Sequence, residues 1–461
     1  MENMTVGRIA QAVGGRLLCG DASLPVEHIS IDSRKILPNS LFVPLIGEKV
    51  DAHRFLKQAI ELGAAAVFTS EHEEAEDASV PWIRVEDTKQ ALQRLGAFCR
   101  QSLPTLPVVG VTGSVGKTTT REMIAAALSA KYVVYKTPGN HNSQVGVPIT
   151  LSELCSRDEI AVIELGMSEP GELSVIAKMA EPDMAVITNI GVTHIEQLGS
   201  IMNIYKEKLS IQDGLQKGGK LILNVDDPML GNTKARQDVE VVSYGKMSGA
   251  RYRAVNIHLE DGYPVFTLSY GEREIEVKLG VLGEHNVSNA LAALAVAGEC
   301  GVNLEQAALA LGQFRGFANR QQLYQIGGLT ILDDSYNASP VSMKAAIEVL
   351  ANRKGKRRIA VLADMKELGE QAEEFHYDVG KFAAQKNLDF VITCGELARQ
   401  IAKAVLDAEK MIQVVSFSDN ESLLGFLRGL LHEGDCVLFK GSNSMKLFEV
   451  CAQLRKEKEE A

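Results

Sequence analysis

The stretch Val111-Thr112-Gly113-Ser114-Val115-Gly116-Lys117-Thr118-Thr119 carries the most specific chemistry in the chain. Glycines at 113 and 116 let backbone N–H groups turn inward around phosphate oxygens, and a helix opening just beyond adds the positive end of its dipole. Gly113 to Thr119 then form a cradle in which Lys117 reaches the β- and γ-phosphates of a nucleotide and the Thr118 hydroxyl ligates Mg²⁺. The strict pattern has Gly at the position of Val111; here glycine stands one place earlier, at 110. The plainer alternative is a glycine-rich turn with an unrelated Lys-Thr. An apolar strand before the loop and a helical pattern after it weigh against that.

Three further residues fall at strand ends or on an apolar face. Glu164 closes the run Ile160-Ala161-Val162-Ile163. A carboxylate one strand from a phosphate loop stands where nucleotide Mg²⁺ is held, the alternative being a surface Glu at a strand end. His194 ends the loop Thr188-Asn189-Ile190-Gly191-Val192-Thr193 after the strand 184–187. A lone loop His is commonly structural, but imidazole also ligates metals, and three strand ends converge here in this reading. Lys208 is the odd residue. With 201–215 read as a helix, Ile201, Ile204, Ile211 and Leu215 make an apolar stripe, and Lys208 fills its gap while Lys206 faces outward. A bare buried ammonium is costly, so an inward Lys is paired, deprotonated or chemically altered. Otherwise its stem packs and its head reaches water.

Asn286 and Asn289 share a face where an Ala-rich helix opens, and an amide there either caps the helix or bonds a base edge. Arg320 and the run Asp333-Asp334-Ser335-Tyr336-Asn337-Ala338-Ser339-Pro340 stand at the entry to a later unit. Asp334, at the tip of the strand 330–332, holds a ribose or a Mg²⁺-bound phosphate in one reading and is a plain acidic turn in the other.

The elements that position these residues follow from periodicity. Short strands and helices fill 1–103, and Ser102-Leu103-Pro104-Thr105-Leu106-Pro107 reads as a linker. From Val108 continuous apolar strands alternate with helices, as in parallel sheets that bind ligands beyond their carboxyl ends. Between about 252 and 279 the period drops to two, which predicts an antiparallel edge. Alternation of strands and helices resumes near Gly316, and Arg455 to Ala461 reads as a frayed charged tail. The expectation is an α/β chain of three domains: 1–103, 104–315 with a phosphate loop, and 316–461. Its 461 residues agree with about one domain per ~150 residues.

Composition bounds the partners. Lys and Arg total 48 against 59 Asp and Glu, a formal charge of −11 that leaves no basic stripe for nucleic acid. No apolar run approaches the ~18 residues needed to span a bilayer, so no stable membrane insertion is expected. The start carries no secretory pattern. Seven scattered cysteines without a CxxC pair read as reduced thiols in a cytoplasmic protein.

Taken in order, the phosphate loop, the Glu164 strand end, Asn189…His194, Lys208, His285-Asn286…Asn289 and Asp334 resemble the Mur ligases, over essentially the whole chain. Gly139-Asn140-His141-Asn142-Ser143-Gln144-Val145-Gly146-Val147-Pro148, Asp334 to Pro340 and Asp364-Met365-Lys366-Glu367-Leu368-Gly369 are similar to the branch that adds D-alanyl-D-alanine. Asp-Asn-Pro-Arg, expected of the diaminopimelate-adding branch, and Asp-Gly-Ala-His-Asn, usual in folylpolyglutamate synthases, are absent from the corresponding places. The resemblance implies a small substrate-binding α/β domain for UDP-linked substrate, a central P-loop ATPase-like domain and a Rossmann-like C-terminal domain. It implies an ADP-forming amide ligase that joins D-alanyl-D-alanine to UDP-N-acetylmuramoyl-tripeptide through an acyl phosphate, in cytoplasmic peptidoglycan precursor synthesis.

The same resemblance assigns roles. ATP would contact Gly113, Ser114, Val115, Gly116, Lys117, Thr118, Thr119, Asn286, Asn289, Arg320 and Asp334. One Mg²⁺ would rest on Thr118 and Glu164, and a second on Glu164, His194 and Lys208 carbamylated by CO₂. Lys117, Glu164, His194 and Lys208 would be catalytic, and Ser33, Arg34, Asp51, Asn140, Asn142, Tyr336 and Asn337 would bind substrate. The expected state is a monomer. The chain departs from the family pattern at Ser210, where an acidic residue is expected, at Asn443 in place of Arg, and at Ala52 in place of Gly. The alternatives are an amide ligase of the same type with another acceptor, a P-loop kinase that leaves a stable phosphorylated product, or a nucleotide-dependent binding protein.

Overall fold

Apolar runs become buried strands in three separate sheets of the computed structural model, which describes residues 1–459. The N-terminal sheet holds β1 (Arg16–Cys19), β2 (His28–Ser30), β3 (Ser40–Phe42), β4 (Ala66–Thr69) and β5 (Trp82–Arg84), ordered β1-β5-β4-β3-β2. Only β1 runs antiparallel to its neighbour.

The central sheet contains β6 (Val108–Thr112), β7 (Val134–Lys136), β8 (Ile160–Glu164), β9 (Met184–Ile187), β10 (Lys220–Asn224), β11 (Glu240–Gly245), β12 (Tyr252–Glu260), β13 (Tyr263–Tyr270) and β14 (Arg273–Lys278). Their order is β14-β13-β12-β11-β10-β9-β6-β8-β7. The strands from β7 to β12 are parallel, and β12, β13 and β14 form the antiparallel edge that the period-two pattern predicts. Strand β6 lies between β8 and β9, so the chain changes direction across the sheet at the end of β6, where open α/β sheets hold ligands.

Both faces of this sheet are covered, which is why β6 reads as an unbroken apolar run. Val109 and Val111 pack with Met123 and Ile124 of the helix Lys117–Leu128 and with the alanines of the helix Asn286–Glu299. Val108 points to the other face, against Val147 and Leu151 of the helix Gly146–Ser152 and Leu173 and Ile176 of the helix Glu172–Ala180. Each fully buried Val, Leu or Ile contributes about 1.5–3 kcal/mol. The C-terminal sheet takes β15 (Gln322–Ile326), β16 (Leu329–Asp333), β17 (Arg358–Ala363), β18 (Phe390–Cys394), β19 (Gln413–Phe417) and β20 (Cys436–Lys440), ordered β15-β16-β20-β17-β18-β19. It is parallel apart from β15 and has a core on each face.

The first two sheets are fastened closely. Gly96, on the helix Thr88–Gln101, lies so near Pro148 that a Cβ there would fall 2.5 Å from the Pro148 Cα. Buried Arg100 donates from Nε to the carbonyl of Ala180 (3.0 Å) and from Nη2 to that of Glu181 (3.3 Å).

Three local expectations change. The helix read over 201–215 is α-helical only for Ile201–Leu209 and continues as a 3₁₀ turn, Ser210–Gly214. Ser210 Oγ donates back to the Glu207 carbonyl (2.6 Å), a bond that competes with the helical ladder. The Ala-rich helix starts at Asn286, so Asn286 and Asn289 fall in its first turn. In the expected tail, residues 455–459 are helical, because the Arg455 guanidinium stacks 3.8 Å over the Tyr324 ring; Glu460 and Ala461 lie outside the described residues. All seven cysteines are free, and no helix among the described residues is long and apolar enough to cross a membrane.

Candidate active site

The ends of β6, β8 and β9 open into a cavity of about 520 Å³, which the entry to the C-terminal sheet closes from the other side. At its floor the phosphate loop is held in shape by β9's continuation. Asn189 accepts the Val115 N–H on Oδ1 (2.9 Å) and donates from Nδ2 to the Val115 carbonyl (2.9 Å), while Ser114 Oγ and the Gly191 N–H bond at 2.8 Å. Gly113 has φ +149°, and a Cβ there would lie 1.9 Å from Thr188 Oγ1. Gly116, φ +84°, caps the helix and sits against Asn289 Oδ1. Both positions therefore require glycine.

Lys117 folds over this loop, donating from Nζ to the carbonyls of Gly113 (2.8 Å) and Ser114 (3.3 Å). Desolvation in the cavity lowers its pKa, with Arg320 adding to the effect and Glu164 opposing it. Thr118 Oγ1 donates to Glu164 Oε1 (3.2 Å), as does Asn142 Nδ2 (2.7 Å). The hydroxyl and carboxylate expected to share a cation are thus already adjacent, at the end of a strand buried on both faces.

The second oxygen of Glu164 is bound by a residue that sequence reasoning missed. Fully buried Arg121 donates from Nη1 to Glu164 Oε2 (3.1 Å) and to the Gly139 carbonyl (2.9 Å), and from Nη2 to Glu122 Oε1 (2.6 Å). It stands one helical turn after Lys117, and a charged residue on the buried face of that helix was the available signal. Removing one partner from a buried ion pair strands the other charge. Arg121→Met is therefore expected to destabilise the chain by about 3–5 kcal/mol, read as a lower chemical-unfolding midpoint.

His194 lines the cavity at the N-cap of the short helix Ile195–Leu198, with φ +64°. Its Nδ1 lies 2.6 Å from Oε2 of Glu367, on the C-terminal side, and the imidazole holds the Glu367 carboxyl below its ordinary pKa. Lys208 faces inward as its spacing predicts and is 1% exposed, but it stands behind the cavity lining. Among the described residues it makes no ion pair. Desolvation, followed by the charge of Lys117, pushes its pKa well below the ordinary lysine value, against a smaller opposing effect of Glu207.

Asn286 and Asn289 also line the cavity, but their amides are engaged within the protein. Asn289 accepts from Thr120 Oγ1 (3.0 Å) and donates to Asn286 Oδ1 (2.8 Å), and Asn286 donates to the Leu282 carbonyl (2.7 Å). Across the cavity, Asp334 accepts from Lys440 Nζ (2.6 Å), which also donates to the Asn337 carbonyl (3.1 Å). Burial raises the Asp334 carboxyl's pKa, with Lys440 and Arg320 opposing. Arg320 stacks 4.2 Å over the Tyr336 ring. Lys440 was another residue without an assigned role, although a lysine ending the apolar strand Val437-Leu438-Phe439 marks it. Asn443, standing where Arg was expected, donates to the Tyr336 carbonyl (3.1 Å).

Asn140, Asn142, Tyr336 and Asn337 line the same cavity. Ser33, Arg34 and Asp51 do not. They stand in the N-terminal unit, where Ser33 donates to Gln58, exposed Arg34 pairs with Asp32, and Asp51 binds the imidazole of buried His53. The Thr193 hydroxyl and the Arg320 Nε, both of residues lining the cavity, are buried without a hydrogen-bond partner among the described residues, which suits a polar occupant.

Fold and site together define a three-sheet α/β protein of the phosphate-loop class. Residues 25–99 match the family model described as Mur ligase family, catalytic domain, residues 111–297 the Mur ligase middle domain, and residues 319–443 the Mur ligase, glutamate ligase domain. The chain is 39% identical to the UDP-N-acetylmuramoyl-tripeptide–D-alanyl-D-alanine ligase of Bacillus subtilis, over 98% of this chain and 99% of that protein. It is 34% identical to the ligase of the same name from Escherichia coli, over 99% of each. A crystal structure of MurF from Acinetobacter baumannii superposes with a TM-score of 0.89 at 31% identity, covering 98% of both chains. MurF from Thermotoga maritima, solved in complex with ADP, gives 0.81 at 29% identity, covering 94% of this chain and 98% of that one. The chain belongs to the Mur ligase family.

Proposed function

We propose that this protein is a cytoplasmic, monomeric, ATP-dependent ligase that joins D-alanyl-D-alanine to UDP-N-acetylmuramoyl-tripeptide. The observation that carries the reading is the single cavity into which the central strands bring Lys117, Thr118, Glu164 and His194 and the C-terminal sheet brings Asp334 and Lys440. The full-length similarity to ligases of that name supports the choice of substrates.

The terminal carboxylate of the tripeptide attacks the γ-phosphorus of ATP, the bond to the bridging oxygen breaks, and ADP leaves. The amine of D-alanyl-D-alanine then attacks the acyl phosphate, the C–N bond forms, the amine proton is lost and phosphate departs. A free carboxylate is a poor acylating agent at neutral pH, so the phosphoryl group supplies the leaving group. Positioning and charge neutralisation do most of the work. The loop N–H groups and Lys117 bind the β- and γ-phosphates. Asn140 and Asn142, the latter bonded to Glu164, and Tyr336 and Asn337, the latter bonded to Lys440, are the cavity's substrate contacts. Ser33, Arg34 and Asp51 bind the UDP-sugar on the N-terminal unit, and the C-terminal domain closes over the nucleotide.

Thr118 and Glu164 suit one Mg²⁺, since a hydroxyl and a carboxylate oxygen are hard donors. Glu164, His194 and carbamylated Lys208 suit the second. When bound, the two ions neutralise charge on the transferring phosphoryl group. The buried Lys208 amine fits the carbamate: burial favours the neutral amine, which is the form that adds to CO₂, and it has no carboxylate partner to displace among the described residues.

The test is phosphate release from ATP and Mg²⁺ with UDP-N-acetylmuramoyl-tripeptide, with and without D-alanyl-D-alanine. Release that needs both substrates, with a product heavier by one dipeptide, is expected. Release indifferent to the dipeptide, or a stable phosphorylated product, would sink the proposal.

A further inference from the structure

The antiparallel edge of the central sheet takes no part in the reaction as described, yet its tip reaches the C-terminal unit. Asp261 and Gly262 join β12 to β13 with φ +51° and +88°, a two-residue turn whose twist suits a hairpin. Arg353 donates from Nη1 to the Asp261 carbonyl (2.9 Å), and Lys354 Nζ donates to the Asp261 carboxylate (2.9 Å). Beside the tip, Tyr263 packs on the C-terminal core, and Leu282, 2% exposed, lies within that core with Ile347, Val349 and Leu350. The Gly283 N–H donates to the Gly262 carbonyl (3.0 Å). Gly283 has φ +90°, and a Cβ there would fall 2.8 Å from Val349 Cγ2, so the approach requires glycine.

Two other places where these units meet differ in kind. One is the chain connection itself, residues 314–321, in which Gly316, Asn319 and Gln321 all have positive φ. The other is a half-buried seam beside the cavity. There Val192 packs on the C-terminal core, a Cβ on Gly369 would stand 3.5 Å from the Cα of Glu196, and His194 meets Glu367 through side chains. Among the described residues no backbone hydrogen bond crosses that seam. The helix Pro340–Ala351 runs from the cavity to the hairpin. Val341, Ser342 and Ala345 line the cavity, while Val349 and Leu350 pack with Leu282 at the other end. Its 12 residues make an arm about 18 Å long. Leu282 is also tied to the cavity wall, since its carbonyl accepts from Asn286 Nδ2 (2.7 Å).

We infer that the tip of the β12–β13 hairpin, with Leu282, is the pivot on which the C-terminal unit turns over the nucleotide. The chain connection fixes one point of an axis and the tip fixes a second. Two fixed points leave one rotation, which opens and shuts the seam at Glu196. Parting the tip would bring Leu282 out of the C-terminal core into water, whereas the seam is already half wet. Rotation about such an axis is absorbed by a few loop residues while the packed contact stays closed. The inference rests on the reading that the cavity takes a nucleotide beneath a closing C-terminal unit.

The test joins each contact covalently with a short bismaleimide, in Asp261→Cys/Lys354→Cys at the tip and in Glu196→Cys/Glu370→Cys at the seam. All four positions are exposed. Release of N-methylanthraniloyl-ADP from the preloaded full chain is then followed by fluorescence. Linking the tip is expected to leave the release rate within about twofold of the unlinked variant, and linking the seam slows it at least about tenfold, because the cavity no longer opens. The single-cysteine chains, treated alike, account for reaction at native thiols. Slowed release with the tip linked, or ordinary release with the seam linked, overturns the inference. A parent chain that binds no nucleotide overturns the underlying reading and the inference with it. The expected two rates in a chain without dipeptide-dependent phosphate release uphold the pivot and remove the ligase reading alone.

Discussion

Replacing Lys208 by alanine slows dipeptide-dependent phosphate release at least about a hundredfold, and millimolar formate or acetate restores part of the rate. The size follows from position: residues behind a metal ligand are already worth about 10–100-fold, and in the proposed reaction Lys208 supplies the ligand itself. The rescue follows from chemistry. Lys208 is 1% exposed and has no carboxylate partner among the described residues, so its removal leaves a buried gap in which a small carboxylate stands in for the proposed carbamate. CO₂ adds only to the neutral amine, the form that desolvation and the neighbouring Lys117 charge both favour. Parent enzyme assayed in CO₂-free buffer therefore gains activity when bicarbonate is added, and Lys208→Ala does not. Near-normal activity in the variant, with no response to short acids, excludes the carbamate.

Lys117→Ala is expected to lower kcat about 10²–10³-fold, the cost of removing one preorganised donor from developing charge. The KM for ATP rises less, since the loop N–H groups still bind phosphate. Lys117→Arg does not restore the rate, because a planar fork cannot take the place of a compact ammonium closely packed over the loop. The ammonium now bonds the Gly113 and Ser114 carbonyls, so it must turn outward when phosphate arrives. Steady-state kinetics with varied ATP separate the two parameters, and an unchanged kcat would remove Lys117 from the reaction.

What could be read from the sequence was local. Gly113 to Thr119 is contiguous, and its glycines, lysine and threonine act through neighbouring backbone. The inward face of Lys208 followed from helical spacing, even though the helix tightens after Leu209, where Ser210 bonds back to Glu207. The antiparallel edge over β12 to β14 followed from period two. Arg121 and Lys440 gained their roles only from the fold. Arg121 meets Glu164 from 43 residues away and Lys440 meets Asp334 from 106, and no local pattern encodes such partners. The charged C-terminal stretch read as frayed because its stabilising contact, Arg455 on Tyr324, is equally remote. The spacing of Asn286 and Asn289 put both on one face where the helix opens, and there they line the cavity, bonded to Thr120, the Leu282 carbonyl and each other.

The seam between the N-terminal and central sheets has a consequence for length discrimination. Gly96 against Pro148 leaves no room for even a methyl group, and Arg100 ties its helix to the carbonyls of Ala180 and Glu181. Such a joint transmits force without sliding, because close-packed interiors resist compression. The distance from the first sheet to Lys117 is consequently held by contacts within the polypeptide itself. With the UDP-sugar seated on the first sheet as proposed, that spacing acts as a gauge of substrate length, and a peptide one residue shorter falls short of Lys117.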